Sequence, residues 1–167
     1  HRYGCKIFGQ LFHPGREITE SQDGSFPVAY APSAVPNERF HVMPRPMSKA
    51  MIADVIKGYG ESARRLGGAG LDGFEIVASH GYLPAQFLNP RVNKRDDKYG
   101  GSFENRLRFL PEVIASVRAH VDDATVVGLR ISGDEKDPEG LEESESLQAI
   151  VALGDTVDYV NVIAGSS

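Results

Sequence analysis

The sequence predicts an α/β fold built on a parallel sheet, and two observations carry the prediction. Four apolar runs of strand length, Cys5–Phe12, Gly73–Ala78, Thr125–Ile131 and Val157–Ala164, alternate with segments of helical periodicity. Alternation of that kind implies parallel pairing through right-handed crossovers. Each run is also almost continuously apolar, as in strands covered on both faces. Such a sheet is either doubly wound or part of a (β/α)8 barrel, and both collect ligands at the C-terminal ends of their strands. The long loops of this chain follow those ends. No GxGxxG or GxxxxGKS/T motif follows a strand, which counts against a mononucleotide-binding sheet.

The first strand carries "KIFGQLFH" and stops at the Pro14-Gly15 turn. Ser48 can cap the first helix, whose apolar positions Ile52, Val55, Ile56, Tyr59, Ala63 and Leu66 recur at three- and four-residue spacing. That helix stops at "GGAG". After the second strand, "GFEIVA", the chain is expected to stay irregular for about twenty residues, a length that in compact domains is usually functional or disordered. Ser102 then caps a second helix carrying Leu107, Leu110, Val113, Ile114 and Val117. The third strand, "VVGLRIS", leads to a helix over Glu142–Leu153, with acidic residues in its first turn.

A chain of 167 residues can bury one sizeable core. Its net charge of −5 argues against nucleic acid or an anionic membrane as the main partner. No apolar stretch approaches the roughly twenty residues of a membrane span, and no signal peptide is evident. A cytoplasmic protein is expected. The single Cys5 excludes an internal disulfide, reads as a buried inert thiol, and leaves no CxxC for zinc or iron–sulfur, so no metal site is expected. Core strands begin and end the chain, so both ends of its domain are expected to be cut short.

Gln10 and Arg130 are polar residues near the C-terminal ends of apolar strands. An unpaired buried Arg costs several kcal/mol, so Arg130 should meet either a carboxylate such as Glu75 or an anionic ligand. His80 and Tyr82 lie just past the second strand, where they can form a proton-transfer pair or simply pack in the loop. Arg91, Arg95, Glu104 and Arg106 are expected to brace the loop through ion pairs. Glu142, Glu143 and Glu145 read as a solvated face.

"GQLFHPGR", "HGYLPAQFLNPRVNKRDDKYGGSFENRLRF" and "GLRIS" closely resemble the Old Yellow Enzyme family of FMN-dependent (β/α)8-barrel oxidoreductases. The resemblance covers nearly the whole chain, 1–167. It implies part of a single FMN-binding barrel domain, from about the third to the sixth strand. By the same resemblance, Gln10 meets the flavin pyrimidine edge and Arg130 sits by flavin N1 and O2. His80 anchors the substrate, and Tyr82 is the proton donor of the family's ene-reductases. Val77 stands where many of those ene-reductases carry His.

"SHGYLPAQFLNPRVNKRDDKYGG" and "FHVMPRPMS" are more similar to the amine-oxidising branch, which includes trimethylamine dehydrogenase and the N-methylproline or stachydrine demethylases. Val77 and Asn161 then belong to the substrate pocket. The implied reaction is oxidative demethylation of an N-methylproline- or betaine-like amine. A hydride passes to flavin N5, and the iminium hydrolyses to formaldehyde and the demethylated amine. The alternative is an NAD(P)H-dependent ene-reductase or 2,4-dienoyl-CoA reductase using Tyr82, and a third is a flavin-free binding module. Family members can also carry a 4Fe–4S cluster and a domain for NAD(P)H or FAD, expected only through regions outside this chain. A homo-oligomer or an electron-transfer partner is a further expectation.

Overall fold

The computed structural model describes residues 1–19, 21–25 and 27–165. Six strands and five helices follow one another: β1 (Phe8–Leu11), β2 (Tyr30–Ala31), β3 (Arg45–Pro46), α1 (Lys49–Gly68), β4 (Gly73–Ala78), α2 (Leu83–Leu88), α3 (Phe103–Leu107), α4 (Phe109–Arg118), β5 (Val126–Asp134), α5 (Glu143–Leu153) and β6 (Tyr159–Ala164). β1, β4, β5 and β6 lie side by side in that order, all parallel. β2 and β3 form a separate short ladder inside the first long loop.

The register gives the sheet two faces of opposite character. Phe74, Ile76 and Ala78 of β4 and Val127, Leu129 and Ile131 of β5 point to one side and are buried. They meet Ile52, Tyr59 and Ala63 of α1 and Leu110, Val113, Ile114 and Val117 of α4 in one apolar cluster. Each fully buried Leu, Ile, Val or Phe contributes about 1.5–3 kcal/mol, so this helix-covered face holds the sheet together. The opposite parity carries Gln10, Glu75, Gly128 and Tyr159 in one row. Val77, Arg130 and Asn161 form the next row toward the C-terminal edge.

Several boundaries follow local chemistry. Ser48 caps α1 as expected, its Oγ accepting from the Met51 amide at 3.2 Å, an interaction usually worth about 1 kcal/mol. The helix expected as one piece after Ser102 breaks between Leu107 and Phe109. Pro111 supplies the reason: it has no N–H for the Leu107 carbonyl, and its ring crowds that carbonyl. The long segment after β4 is not irregular throughout, because α2 folds within it with all six residues buried.

Cys5 is a correction: it is exposed, not buried. The first strand begins only at Phe8, because Asp72 engages the chain below it. The Asp72 carboxylate accepts from the Ile7 amide, and the Asp72 amide donates to the Ile7 carbonyl, both at 2.9 Å. No helix of the described residues is long and apolar enough to cross a membrane.

Ion pairs brace the loop after α2, with two corrections. Arg95 grips Asp97 through two nitrogens, at 3.0 and 2.7 Å, and donates to the Pro32 and Met47 carbonyls. Arg91 pairs with Asp137 at 2.8 Å. Arg106 donates to the Leu88 carbonyl and pairs with Glu145 at 2.5 Å, so Glu145 is not simply solvated. Glu104 is exposed in the first turn of α3 and makes no ion pair among the described residues.

Candidate active site

The C-terminal edge of the sheet holds a depression of about 270 Å³ lined by Gln10, Phe12, Val77, His80, Tyr82 and Arg130. Five of the six residues singled out in the sequence therefore share one concavity. The sixth, Asn161, does not line it; its amide turns toward Glu75. Phe12 was not anticipated. It continues the parity of Gln10 past the end of β1, so the alternation of the strand is the signal that could have found it.

Glu75 is the centre of the polar face. One carboxylate oxygen accepts from Gln10 Nε2 at 2.7 Å. The other accepts from the Tyr159 hydroxyl and from Asn161 Nδ2, each at 3.2 Å. Tyr159 reaches Glu75 across the intervening strand because residue 128 is glycine; a Cβ there would stand 2.1 Å from the tyrosine ring. Burial, and then the Glu75 charge, push the Tyr159 phenol up to about 12. It therefore remains a donor to Glu75 at neutral pH.

Arg130 is not satisfied by that carboxylate. Its Nη1 stands 3.9 Å from Glu75, within Coulombic reach but beyond hydrogen-bond distance. Its Nε is buried and has no hydrogen-bond partner among the described residues. An unmade hydrogen bond at a buried charged donor is costly. The ion pair thus leaves the guanidinium without a hydrogen-bonded carboxylate, and the exposed part of the Arg130 side chain lines the depression.

His80 and Tyr82 owe their placement to a tight turn at the end of β4. His80 holds a left-handed backbone with φ +55°, and Gly81 follows with φ +68°. A left-handed conformation at a non-glycine residue costs roughly 1–2 kcal/mol, so the surroundings must hold it. Ser79 Oγ shares a 2.9 Å hydrogen bond with His80 Nδ1. Burial, and then the nearby Arg130 charge, hold the imidazole below its ordinary value of 6.5, so it is neutral at pH 7. The Tyr82 ring leans on Phe12 and His80, with centroids 5.2 and 6.1 Å apart.

Gln86 of α2, not anticipated from the sequence, ties this turn to the one after β1. Its Nε2 donates to the Gly81 and Pro14 carbonyls, at 2.6 and 3.0 Å, and its Oε1 accepts from the Arg16 amide. Gly15 makes room for it. A second crevice of about 220 Å³, lined by Arg16, Glu17, Asn37, Glu135 and Arg91 among others, lies behind Gln86. Its groups largely engage one another: Glu135 accepts from Asn89 at 2.7 Å, and Glu17 from Asn37 at 2.5 Å.

Residues 1–165 match the model of the NADH:flavin oxidoreductase / NADH oxidase family. The chain belongs to this family. The N,N-dimethylglycine/sarcosine dehydrogenase of Chromohalobacter salexigens is 42% identical over 167 residues, covering 98% of this chain and 24% of that protein. The NADPH dehydrogenase of Clostridium acetobutylicum is 38% identical over 165 residues, covering 98% of this chain and 48% of that one. A solved 2-naphthoyl-CoA reductase superposes with a TM-score of 0.88 at 29% identity, over 99% of this chain and 27% of the other. The chain thus spans between about a quarter and a half of these proteins. Its four parallel strands and their helices are part of a (β/α)8 barrel of the flavin oxidoreductase type.

Proposed function

We propose that this chain is part of a single FMN-binding barrel domain, and that the whole protein oxidises an N-methylated amine to formaldehyde and the demethylated amine. FMN suits the depression for a chemical reason. The pyrimidine edge of a flavin offers both hydrogen-bond acceptors and an N–H donor. Facing the depression are a cation, Arg130, that no carboxylate engages within hydrogen-bond distance, and an amide, Gln10, whose nitrogen is already engaged by Glu75. Arg130 would hold the acceptor positions and balance negative charge there, while Gln10 would accept from the N–H. Bound FMN would supply the hydride-accepting chemistry, which no side chain provides.

The observation that carries the amine reading is Val77. It is 3% exposed, in register with Arg130, and shares the depression with His80. Polarising a carbonyl oxygen calls for converging donors, and Val77 contributes none. An N-methyl group, by contrast, gains from apolar contact with Val77 and the Phe12 ring. In the tautomer that donates Nδ1–H to Ser79, neutral His80 presents a lone pair at Nε2. There it can take the proton of a methylammonium substrate and free the nitrogen lone pair that C–H cleavage requires. The similarity to the dimethylglycine/sarcosine dehydrogenase supports the same substrate class. N-methylproline, a tertiary amine, falls within it, whereas its betaine, a quaternary ammonium with no N–H and no lone pair, does not.

Tyr82 favours a second reading, an NAD(P)H-dependent reductase of activated alkenes in which its hydroxyl protonates the substrate carbon. The likeness to an NADPH dehydrogenase and a CoA-thioester reductase supports it. Tyr82→Phe in the full-length protein separates the two. On the amine reading, flavin reduction by the amine slows by less than about threefold. A loss of about a hundredfold or more, the usual contribution of a general acid, would favour the reductase.

A further inference from the structure

Three side chains on the sheet's polar face, those of Gln10, Tyr159 and Asn161, converge on Glu75, a residue that does not itself line the depression. We propose that Glu75 is a positioning residue that fixes the orientation of the Gln10 amide and offsets the charge of Arg130, thereby setting how strongly the site favours reduced over oxidised flavin. The inference rests on the FMN reading above, but not on the amine as substrate.

The orientation follows from hydrogen-bond chemistry. Glu75 accepts from Gln10, Tyr159 and Asn161 and donates to none of them. A carboxylate so surrounded can face only the NH2 end of the Gln10 amide, because an amide oxygen at 2.7 Å would be repelled. The Gln10 carbonyl is thereby left for the depression as an acceptor. Gln10 is exposed on β1, so the bond to Glu75 is what selects one of its two amide orientations. The charge balance follows from position. Glu75 is 8% exposed, and its Oε1 lies 3.9 Å from Arg130 Nη1. Its negative charge therefore offsets part of the positive charge that Arg130 presents to the depression. Reduced flavin carries more negative charge at its pyrimidine edge than oxidised flavin does, so removing the Glu75 charge should favour the reduced form.

The test is the midpoint potential and FMN dissociation constant of the full-length wild-type protein and its Glu75→Gln and Glu75→Asp variants. Glu75→Gln should tighten reduced relative to oxidised FMN by about tenfold, a rise of about 30 mV for a two-electron couple. It should also weaken oxidised FMN several-fold, as the Gln10 amide is freed to flip. Glu75→Asp keeps the charge and shortens the reach, so it should weaken FMN while leaving the potential at the wild-type value. In combination with Gln10→Ala, it should weaken FMN no further than Gln10→Ala alone.

A merely structural role would weaken both redox forms equally. A Glu75→Gln protein that retains FMN at the wild-type potential would therefore overturn the proposal. If Glu75→Gln purifies without flavin, Glu75→Asp decides: unchanged FMN affinity, or losses that add to those of Gln10→Ala, would overturn it. A wild-type protein that binds no FMN would overturn the flavin reading itself, and this inference with it.

Discussion

Val77 and His80 face the same small space, one apolar and one a neutral imidazole, and their pairing limits what can bind there. Protonating His80 would place a second cation beside Arg130, and both burial and Arg130 oppose that. The sign is definite: the folded protein holds the imidazole below 6.5, so the neutral form persists to lower pH than in a free histidine. As proton acceptor for a methylammonium, His80 loses function once it is protonated. The acid limb of kcat/KM for the amine should therefore have its midpoint below 6.5. A His80-dependent midpoint at or above 6.5 would remove His80 from that role.

Residue chemistry also explains why parts of the site were easy to see in the sequence and others were not. Gln10 and Arg130 stood out because each interrupts an apolar strand. Glu75 interrupts "GFEIVA" in the same way, but it looked like a mere counter-ion to Arg130. Its larger role depends on Tyr159, whose reach across Gly128 no strand pattern reveals.

Among the elements, α2 is the one that sequence periodicity could not announce. All six of its residues are buried, so it shows no contrast between apolar and polar positions. It matters because Gln86 sits on it and joins the turns that follow β1 and β4. Gly15 has φ +62°, and a Cβ there would stand 2.2 Å from Gln86 Oε1. Gly15→Ala should therefore cost about 1–2 kcal/mol for the left-handed backbone. Displacing the buried Gln86 amide from its partners should cost about 1–3 kcal/mol more. Denaturant unfolding of the full-length protein checks this, and a loss below about 0.5 kcal/mol would mean that the two turns are not coupled through Gln86. The four strands of the main sheet and the Ser48 and Ser102 caps were legible because their signals are local, whereas the two-residue strands β2 and β3 are too short to show a pattern. The break before Phe109 needed attention to what Pro111 does to the turn before it.

At the scale of the molecule, the sheet divides labour between its faces. One is sealed by α1 and α4 and supplies the packing. The other carries a connected polar network, Gln10, Glu75, Tyr159 and Asn161, beside an edge where Val77, His80, Tyr82 and Arg130 meet. The parallel α/β architecture was readable from strand–helix alternation, while the choice of a barrel over a doubly wound sheet rested on motif resemblance. That choice agrees with the superposition on a flavin oxidoreductase relative.

On the function proposed above, electrons enter the flavin from an N-methylated amine. The most direct measurement is the anaerobic absorbance of the FMN-loaded full-length protein as sarcosine or N-methylproline is added, followed by NADPH. The flavin band should bleach with the amine alone. Bleaching only after NADPH, reversed by an enone, would contradict it.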